Sequence, residues 1–300
     1  MNYEILVYGP LFCDLIFTEL PAMPELGREV FAGDLTVAVG GSAIVAAALH
    51  RLGVRVGLIA DLGSDPLSQL VRSLLDELGL DQTLIRNHAF PLPQVTAALS
   101  FPHDRAFVTR FQRPEQPRDT ASLLAAHSAR HLHVCGFLAL DETPNIVELA
   151  HEAGMSVSLD LGWDEHGLRQ PSLREIITRL DIFMPSKCEL CEVMGTDDAE
   201  EALSRAAAAM PDGIVVMKDG SRGATACQRG VREQVQALPV QCVDTTGAGD
   251  SFDAGFLYAF INGLPLGDCL RHGNICGGLA TTAAGGAVAA PTLEEMRKWL

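Results

Sequence analysis

Basic residues are scarce in this chain. Its 300 residues include 22 Lys and Arg against 38 Asp and Glu, which gives a formal net charge of −16 at pH 7. Nucleic acids and anionic membranes are bound through surfaces rich in Lys and Arg, so we expect neither as a partner. A ligand that carries phosphate must then be held by a local arrangement of groups rather than by the charge of the whole protein.

Long apolar runs and secretion signals are also missing. Residues 35–49, the least polar stretch, are interrupted by glycines and are too short to span a bilayer. The segment MNYEILVYGP (1–10) lacks the basic region and apolar core of a signal peptide. The eight cysteines are therefore expected to be reduced thiols, and the pair Cys188 and Cys191 has no second pair at zinc-site spacing. These features predict a cytoplasmic protein.

Strand-like apolar segments alternate with amphipathic helical segments over most of the chain, a pattern that predicts a mostly parallel sheet covered by helices. One predicted helix, 64–79, begins with a Ser64 cap and an early proline. The predicted strands of this part are 3–9, 54–63, 131–137, 155–161 and 181–185.

Two segments depart from this alternation. Residues 12–39 contain the short extended pieces DLIFTEL, REVFAG and LTVAVG, and residues 94–112 predict a hairpin whose strands are joined by PHDR. Strands that are not interleaved with helices should form a small separate sheet. Such a sheet is expected to cover a ligand cleft or to pack against another subunit.

The segment DTTGAGDSFDAGF (244–256) combines small residues with acids at the start of a predicted helix. With Thr246 as the N-cap, the amides of Gly247, Ala248 and Gly249 would point out of the first turn, at the positive end of the helix dipole. This arrangement predicts an anion hole. Asp250 beside it could accept a proton from a hydroxyl that attacks a bound phosphoryl group. The alternative is that Asp250 only stabilises the helix through its dipole, by ~0.3–1 kcal/mol.

The same segment is neither of the two common nucleotide-binding loops. A dinucleotide fingerprint would need glycine where Phe252 stands, and a phosphate-binding P-loop would need Gly-Lys-Ser/Thr. Phe252, Phe256, Ala259 and Phe260 share one helical face and are predicted to anchor the helix in the core.

DTTGAGDSFDAGF resembles the C-terminal motif of the ribokinase/PfkB family of carbohydrate kinases. The segment VGGSAIVAAALHRLG (39–53) followed by VGLIADLGSD resembles the family's N-terminal motif. YGPLFC with the following Asp14, then SLDLGWD (158–164), MPSKCELCEVMG (184–195) and VVMKDGSRGA (215–224), occur in the family's order.

The resemblance implies an α/β fold, a ribokinase-like αβα sandwich with a mostly parallel central sheet and a small β-sheet lid. It also implies transfer of the γ-phosphoryl group of ATP to a hydroxyl of a sugar-type acceptor, with Mg²⁺. Residues 1–11, 40–92 and 113–300 would form the nucleotide-binding core, and 12–39 and 93–112 the lid over the acceptor site. A homodimer formed through the lid is expected.

The family's site residues can be carried over by motif. Asp250 would be the catalytic base, with Gly247, Ala248 and Gly249 as the anion hole. Asp14, Gly40 and Gly41 match positions that hold the hydroxyls of the acceptor.

The nucleotide candidates are Lys218, Gly220 and Ser221 in KDGSRG and Asn274 on a later helix. For Lys218 the alternative is an ordinary surface lysine at a strand end. For Asn274 and its small neighbours the alternative is close helix packing.

Three residues are implied as metal ligands. Glu189 would act on Mg²⁺ through water, and Asp244 and Thr246 stand where some members of the family bind a monovalent cation such as K⁺. A purely structural capping role for Asp244 and Thr246 is the alternative.

The chain departs from the family pattern at three places. No asparagine follows the pair Gly40 and Gly41, so the identity of the acceptor sugar is not carried over. Ser186 replaces the asparagine of the N-x-x-E element. Asp253 adds an acid where the family often has a neutral residue, and it could either raise the proton affinity of the base or pair with a nearby Lys or Arg.

Two other functions stay open at this point. A nucleoside kinase would stack the base on Phe101, Phe107 and Phe111, although these rings could equally pack in the lid's own core. A sugar- or nucleotide-sensing protein without turnover is the third hypothesis.

Overall fold

The computed structural model describes residues 3–101, 105–283 and 285–300. Within them, thirteen strands form two sheets. The strands are β1 (Ile5–Tyr8), β2 (Leu11–Thr18), β3 (Asp34–Gly41), β4 (Val56–Leu62), β5 (Ile85–Asn87), β6 (Val95–Ser100), β7 (Arg105–Arg110), β8 (His131–Cys135), β9 (Ser156–Asp160), β10 (Ile182–Phe183), β11 (Ile214–Lys218), β12 (Ala224–Gln228) and β13 (Val231–Val235).

The α-helices lie between and after these strands. They are α1 (Ser42–Arg51), α2 (Pro66–Glu77), α3 (Thr120–Ala126), α4 (Phe137–Glu142), α5 (Ile146–Glu152), α6 (Glu165–Leu168), α7 (Pro171–Ile177), α8 (Lys187–Met194), α9 (Ala199–Ala209), α10 (Ala248–Ile261), α11 (Leu266–Ala280) and α12 (Leu293–Arg297). The cap of α2 is Asp65, which accepts a hydrogen bond from Ser68 N, so the predicted Ser64 cap was wrong by one residue.

The large sheet has the order β13-β12-β11-β10-β9-β8-β1-β4-β5. Its strands pair in parallel from β11 to β5, whereas β12 and β13 are antiparallel. The chain adds β4 on one side of β1 and β8 on the other, so the strand order reverses at β1. In sheets of this kind ligands bind outside the carboxyl ends of the strands at such a point.

Helices cover both faces of the large sheet. One buried cluster contains residues of α1, α2, α10 and α11, and a second contains residues of α4, α5, α7, α8 and α9. Phe252, Phe256 and Ala259 of α10 are buried in the first cluster and Phe260 packs against it, as predicted. The predicted sandwich is confirmed.

The small sheet has the order β3-β2-β6-β7. β2 pairs with β6 in parallel, and the other two pairs are antiparallel. The predicted hairpin 94–112 forms, but residues 102–104 of its connection lie outside the described residues. REVFAG (28–33) forms no strand, although it was predicted as an extended piece.

The two faces of this sheet differ in exposure. One face buries Asp14, Ile16, Thr96 and Ala98, whereas Val108 on the other face is 67% exposed. The division of the chain into core and lid segments remains a prediction, and we use "lid" below for the small sheet. Over the described ranges, no helix is long and apolar enough to cross a membrane.

Candidate active site

The first turn of α10 begins at Gly247, not at Thr246. Gly247 is the N-cap with φ +72°, and no side chain caps the helix. A methyl group at Gly247 would lie 2.9 Å from Ile44 Cγ2, so this position needs glycine for both conformation and space. Thr246 instead donates from its hydroxyl and its backbone N–H to Asp244 Oδ1, at 2.9 and 3.0 Å.

Two of the three amides of the predicted anion hole have no hydrogen-bond partner among the described residues. Ala248 N–H donates to Thr245 O at 3.2 Å, whereas the described residues show no such bond for Gly247 and Gly249. Gly249 is exposed and Gly247 is buried. Both amides lie at the positive end of a 14-residue helix, where an anion is favoured.

Asp250 follows the anion hole directly. Burial raises the pKa of Asp250 to about 6, and the charge of Asp160 adds to this effect, while Lys218 and Arg105 oppose it. A carboxylate with a pKa near neutrality can both exist as the base and bind a proton usefully.

Asp14 lies on β2 of the lid and is buried. Burial raises the pKa of Asp14 to about 7, and the charge of Asp250 contributes to this. The two carboxyl groups, one on β2 and one on α10, are thus close enough for their charges to interact. Contact of either carboxyl group with an acceptor stays a prediction.

The glycine pair makes room for Asp14. A methyl group at Gly40 would lie 2.1 Å from Asp14 Oδ1 and would displace the carboxyl group. Gly41 has φ +64° and caps α1, and a methyl group there would lie 2.3 Å from Pro10 O. Direct contact of either glycine with an acceptor stays a prediction.

A buried ion cluster lies at the carboxyl ends of β9 and β11. Lys218 Nζ is 2.9 Å from Asp160 Oδ2 and 3.1 and 3.0 Å from the two carboxylate oxygens of Asp253. Although burial opposes its charge, these carboxylates raise the pKa of Lys218. Of the two roles considered for Asp253, pairing with a nearby lysine is therefore the one that forms.

Asp160 is a site residue that we did not predict. It is an acid at the carboxyl end of the predicted strand 155–161, and this position alone could have indicated a functional role. Its Oδ1 is buried and has no hydrogen-bond partner within the described part of the chain.

Glu189 lies in the first turn of α8, beside Asp160. Ser186 Oγ accepts from Glu189 N at 3.3 Å, and Ser186 N donates to Glu189 Oε2 at 2.8 Å, so serine at this position forms a capping box. Burial and the charge of Asp160 raise the pKa of Glu189 to about 7. The carboxyl groups of Glu189 and Asp160 repel each other, and Asp160 Oδ1 has no hydrogen-bond partner among the described residues. These features fit a hydrated Mg²⁺, which is usually bound through one or two carboxylates.

Asp244 is buried, and only one of its two carboxylate oxygens accepts hydrogen bonds from the described residues. Oδ1 accepts both bonds from Thr246, while Oδ2 has no partner among the residues the structure describes. An unpaired buried carboxylate oxygen fits a small cation.

The predicted nucleotide residues are only partly brought together. Gly220 and Ser221 lie in an exposed single turn after β11. Asn274 Nδ2 donates to Val235 O at 2.9 Å and thereby ties α11 to β13.

The small residues of α11 lie against α10. Methyl groups at Gly273 and Gly277 would lie 2.8 Å from the Phe252 ring and 3.0 Å from Ala248 O. Close helix packing therefore accounts for these glycines.

Arg105, at the start of β7, is the second residue that sequence reasoning missed. Its guanidinium donates to Thr245 Oγ1 in the segment before the anion hole, and it lies 5.4 Å from the centre of the Phe107 ring. No sequence pattern indicates Arg105, because it lies in a hairpin far from the motifs.

Phe107 is 52% exposed and Phe111 pairs with Phe12, so the lid aromatics do not form one core.

An αβα sandwich with a second, small sheet is the architecture of the ribokinase-like class, and in this chain Asp250 lies in the first turn of the glycine-capped helix α10. The family model described as pfkB family carbohydrate kinase matches residues 3–293. This chain belongs to that family. The predicted fold class, family and enzyme class are confirmed, and the reaction is ATP-dependent phosphorylation of a hydroxyl on a sugar or sugar-derived molecule.

Individual relatives agree with this assignment. The chain is 31% identical to a fructokinase from Klebsiella pneumoniae, with 100% of both chains covered. A putative ribokinase II from E. coli in complex with ATP and Mg²⁺ has a TM-score of 0.80 at 22% identity, covering 99% of this chain and 98% of that one. A fructokinase double mutant from Vibrio cholerae, bound to fructose, ADP and a potassium ion, has a TM-score of 0.79 at 23% identity, covering 100% and 99%.

Proposed function

We propose that this chain phosphorylates a neutral sugar held between Asp14 and Asp250. The proposal is supported by the proximity of the two carboxyl groups, one on β2 and one in the first turn of α10, because the charge of Asp250 contributes to the raised pKa of Asp14. Hydroxyl groups can donate to both carboxylates, whereas an acceptor that carries its own negative charge would add to the repulsion. The relative from Klebsiella pneumoniae makes fructose the first acceptor to test.

In the proposed reaction, Asp14 holds the acceptor and Asp250 accepts the proton of the attacking hydroxyl. The bond from that oxygen to the γ-phosphorus forms as the bond to the bridging oxygen of ADP breaks, and the amides of Gly247 and Gly249 hold the charge of the transferred group. Mg²⁺, when bound near Asp160 and Glu189, would neutralise the charge of the phosphates. A monovalent cation at Asp244 and Thr246 would neutralise the unpaired carboxylate oxygen beside the anion hole.

Three finer assignments belong to the same proposal. Gly220 and Ser221, in an exposed turn after β11, and Asn274 on α11 are the proposed nucleotide-binding residues, whereas Lys218, at the end of β11, has its ammonium group paired to carboxylates. The exposed outer face of the lid is the surface through which two copies would pair. A cytoplasmic location agrees with eight cysteines that form no disulfide in the described ranges.

The test is ADP release from Mg·ATP across free sugars, sugar phosphates, sugar acids and nucleosides. Asp250→Asn is compared with Asp268→Asn, an acid on α11 that pairs with Arg271. We expect turnover on a free sugar that falls by about 10²–10³-fold only in Asp250→Asn.

Other outcomes point elsewhere. Turnover confined to sugar phosphates or sugar acids would contradict a neutral acceptor. Turnover on nucleosides would support the nucleoside-kinase hypothesis. Ligand-induced thermal stabilisation without any turnover would assign the sensing hypothesis.

A further inference from the structure

The ammonium group of Lys218 forms ion pairs with two carboxylates. An ammonium group has three N–H donors, and the three short contacts of Lys218 Nζ go to Asp160 Oδ2, Asp253 Oδ1 and Asp253 Oδ2 at 2.9, 3.1 and 3.0 Å. Its side chain is 12% exposed and that of Asp253 is fully buried. No donor of Lys218 is left over for a nucleotide phosphate in this arrangement.

The three residues join the elements that build the active site. Asp160 ends β9, Lys218 ends β11, and Asp253 lies on α10 three positions after Asp250. A methyl group at Gly249 would lie 3.5 Å from Lys218 Nζ, so the ammonium group lies directly beneath the first turn of α10. The cluster therefore fixes that turn to the carboxyl ends of two strands.

Stability alone does not account for such a cluster. Burying an ion pair costs desolvation, and apolar residues of similar volume are commonly as stable or more so. A buried ion cluster can instead fix the geometry of the elements that it joins.

We infer that Lys218 and Asp253 are positioning residues that hold the first turn of α10, with its anion hole and Asp250, in the orientation that phosphoryl transfer requires. This inference rests on the proposed function, in which Asp250 is the base. Lys218 then acts on the rate through Asp250 and the anion hole rather than by contact with ATP.

The decisive variant is Lys218→Met/Asp253→Val, which removes the pair and leaves Asp160, whose side chain is 17% exposed and accessible to water, without its lysine. Its matched control is Lys298→Met/Glu294→Leu, an exposed ion pair between α12 and the residue at its C-terminal cap. We expect the double variant to keep the melting temperature of its control while kcat falls about 10- to 100-fold, because small misplacements of a reacting group cost rates of this order. KM for ATP and for the acceptor should stay within about threefold of the wild-type values.

Two results would overturn the inference. A kcat equal to that of the control would show that the pair only stabilises the fold. A large rise in KM for ATP with kcat preserved would make Lys218 a nucleotide-binding residue. Asp253→Asn, which keeps an oxygen for Lys218, should lose less of kcat than Asp253→Val.

Hydrogen exchange of the amides of residues 247–251 tests the same point without any turnover. We expect faster exchange in Asp253→Asn and faster still in the double variant, and unchanged exchange in both would contradict positioning. If the wild type turns over no acceptor, the proposed function fails, yet this measurement still decides whether the pair orders the first turn of α10.

Discussion

The guanidinium group of Arg105, on the lid, donates a hydrogen bond to the hydroxyl of Thr245, two positions before the cap of α10. The positive charge of Arg105 also partly offsets the rise that burial causes in the pKa of Asp250. The small sheet thus brings a cation to the segment before α10, where the core contributes mainly carboxylates.

We therefore expect Arg105→Met to lower kcat by about 10²-fold, since a cation near the transferred phosphoryl group stabilises the transition state. Arg110→Met is the matched control, because Arg110 is an exposed arginine on the same strand that contacts Phe111 O and Gln112. Steady-state kinetics at saturating ATP and acceptor measures the difference. Equal rates in the two variants would remove Arg105 from the site.

The acid limb of kcat/KM should report Asp250. Its pKa in the folded protein is raised to about 6, so the ionised base is present above this pH and is lost as the pH falls through it. We expect kcat/KM to fall about tenfold per pH unit below pH 6. A profile from pH 5 to 8 measures this. The rate of Asp250→Asn is expected to be low and to lack the limb near pH 6, while Asp14 and Glu189, whose pKa values are raised to about 7, titrate in both proteins. A wild-type profile without an acid limb in that range would show that Asp250 is not the base.

The order of motifs was enough to predict the family, the sandwich and the position of Asp250. The order of motifs did not predict which side chains lie around Asp250. Lys218, Asp160 and Asp253 meet only because β9 and β11 end, and α10 begins, at the same edge of the sheet. Pairing over such separations is not encoded in any local pattern. Likewise, only the backbone shows that Gly247, with its positive φ, replaces Thr246 as the cap.

A monovalent cation should activate the enzyme through Asp244. Its Oδ2 is buried without a partner in the described ranges, and a cation there would neutralise it next to the anion hole. We expect turnover to rise when sodium is replaced by potassium at constant ionic strength, and Asp244→Asn to abolish the difference. Asp212→Asn, an exposed acid, is the control. Equal wild-type rates in both salts would contradict a cation site.

The outer face of the lid should pair two subunits. Leu35 and Val37 of β3 are 48 and 36% exposed, and Val108 of β7, on the same face of the sheet, is 67% exposed. An exposed apolar sheet face of this kind is typical of an interface. We expect a dimer by light scattering at micromolar concentration, and a monomer for Val37→Lys/Val108→Lys. A monomeric wild type would exclude the lid interface.

The last prediction concerns the centre of the large sheet, where His131 is fully buried on β8. Its two ring nitrogens lie 2.7 Å from Ser156 Oγ and from Ser158 Oγ, and its ring meets Phe260 edge-on. Burial lowers the pKa of His131 from 6.5 to about 3. The folded protein therefore keeps His131 neutral at a pH where the unfolded chain already binds the proton.

The sign of the effect follows from this difference. The stability that neutral His131 contributes is complete above pH 6.5 and is lost as the pH falls from 6.5 towards 3, at up to about 1.4 kcal/mol per pH unit. The raised pKa values of Asp14, Asp250 and Glu189 act in the opposite direction, because the folded state then binds protons more tightly than the unfolded chain. A pH scan of the wild type alone would mix the two effects.

The difference between the wild type and His131→Phe isolates the histidine, since the carboxyl groups are common to both proteins. We expect the free energy of unfolding of the wild type to decline relative to the variant by about 1 kcal/mol per pH unit between pH 6.5 and 5, measured by urea denaturation. His50→Phe, at an exposed position on α1, should show a much smaller slope. A pH-independent difference for His131→Phe would mean that His131 has the same pKa in the folded protein as in the unfolded chain, which would contradict the lowered pKa.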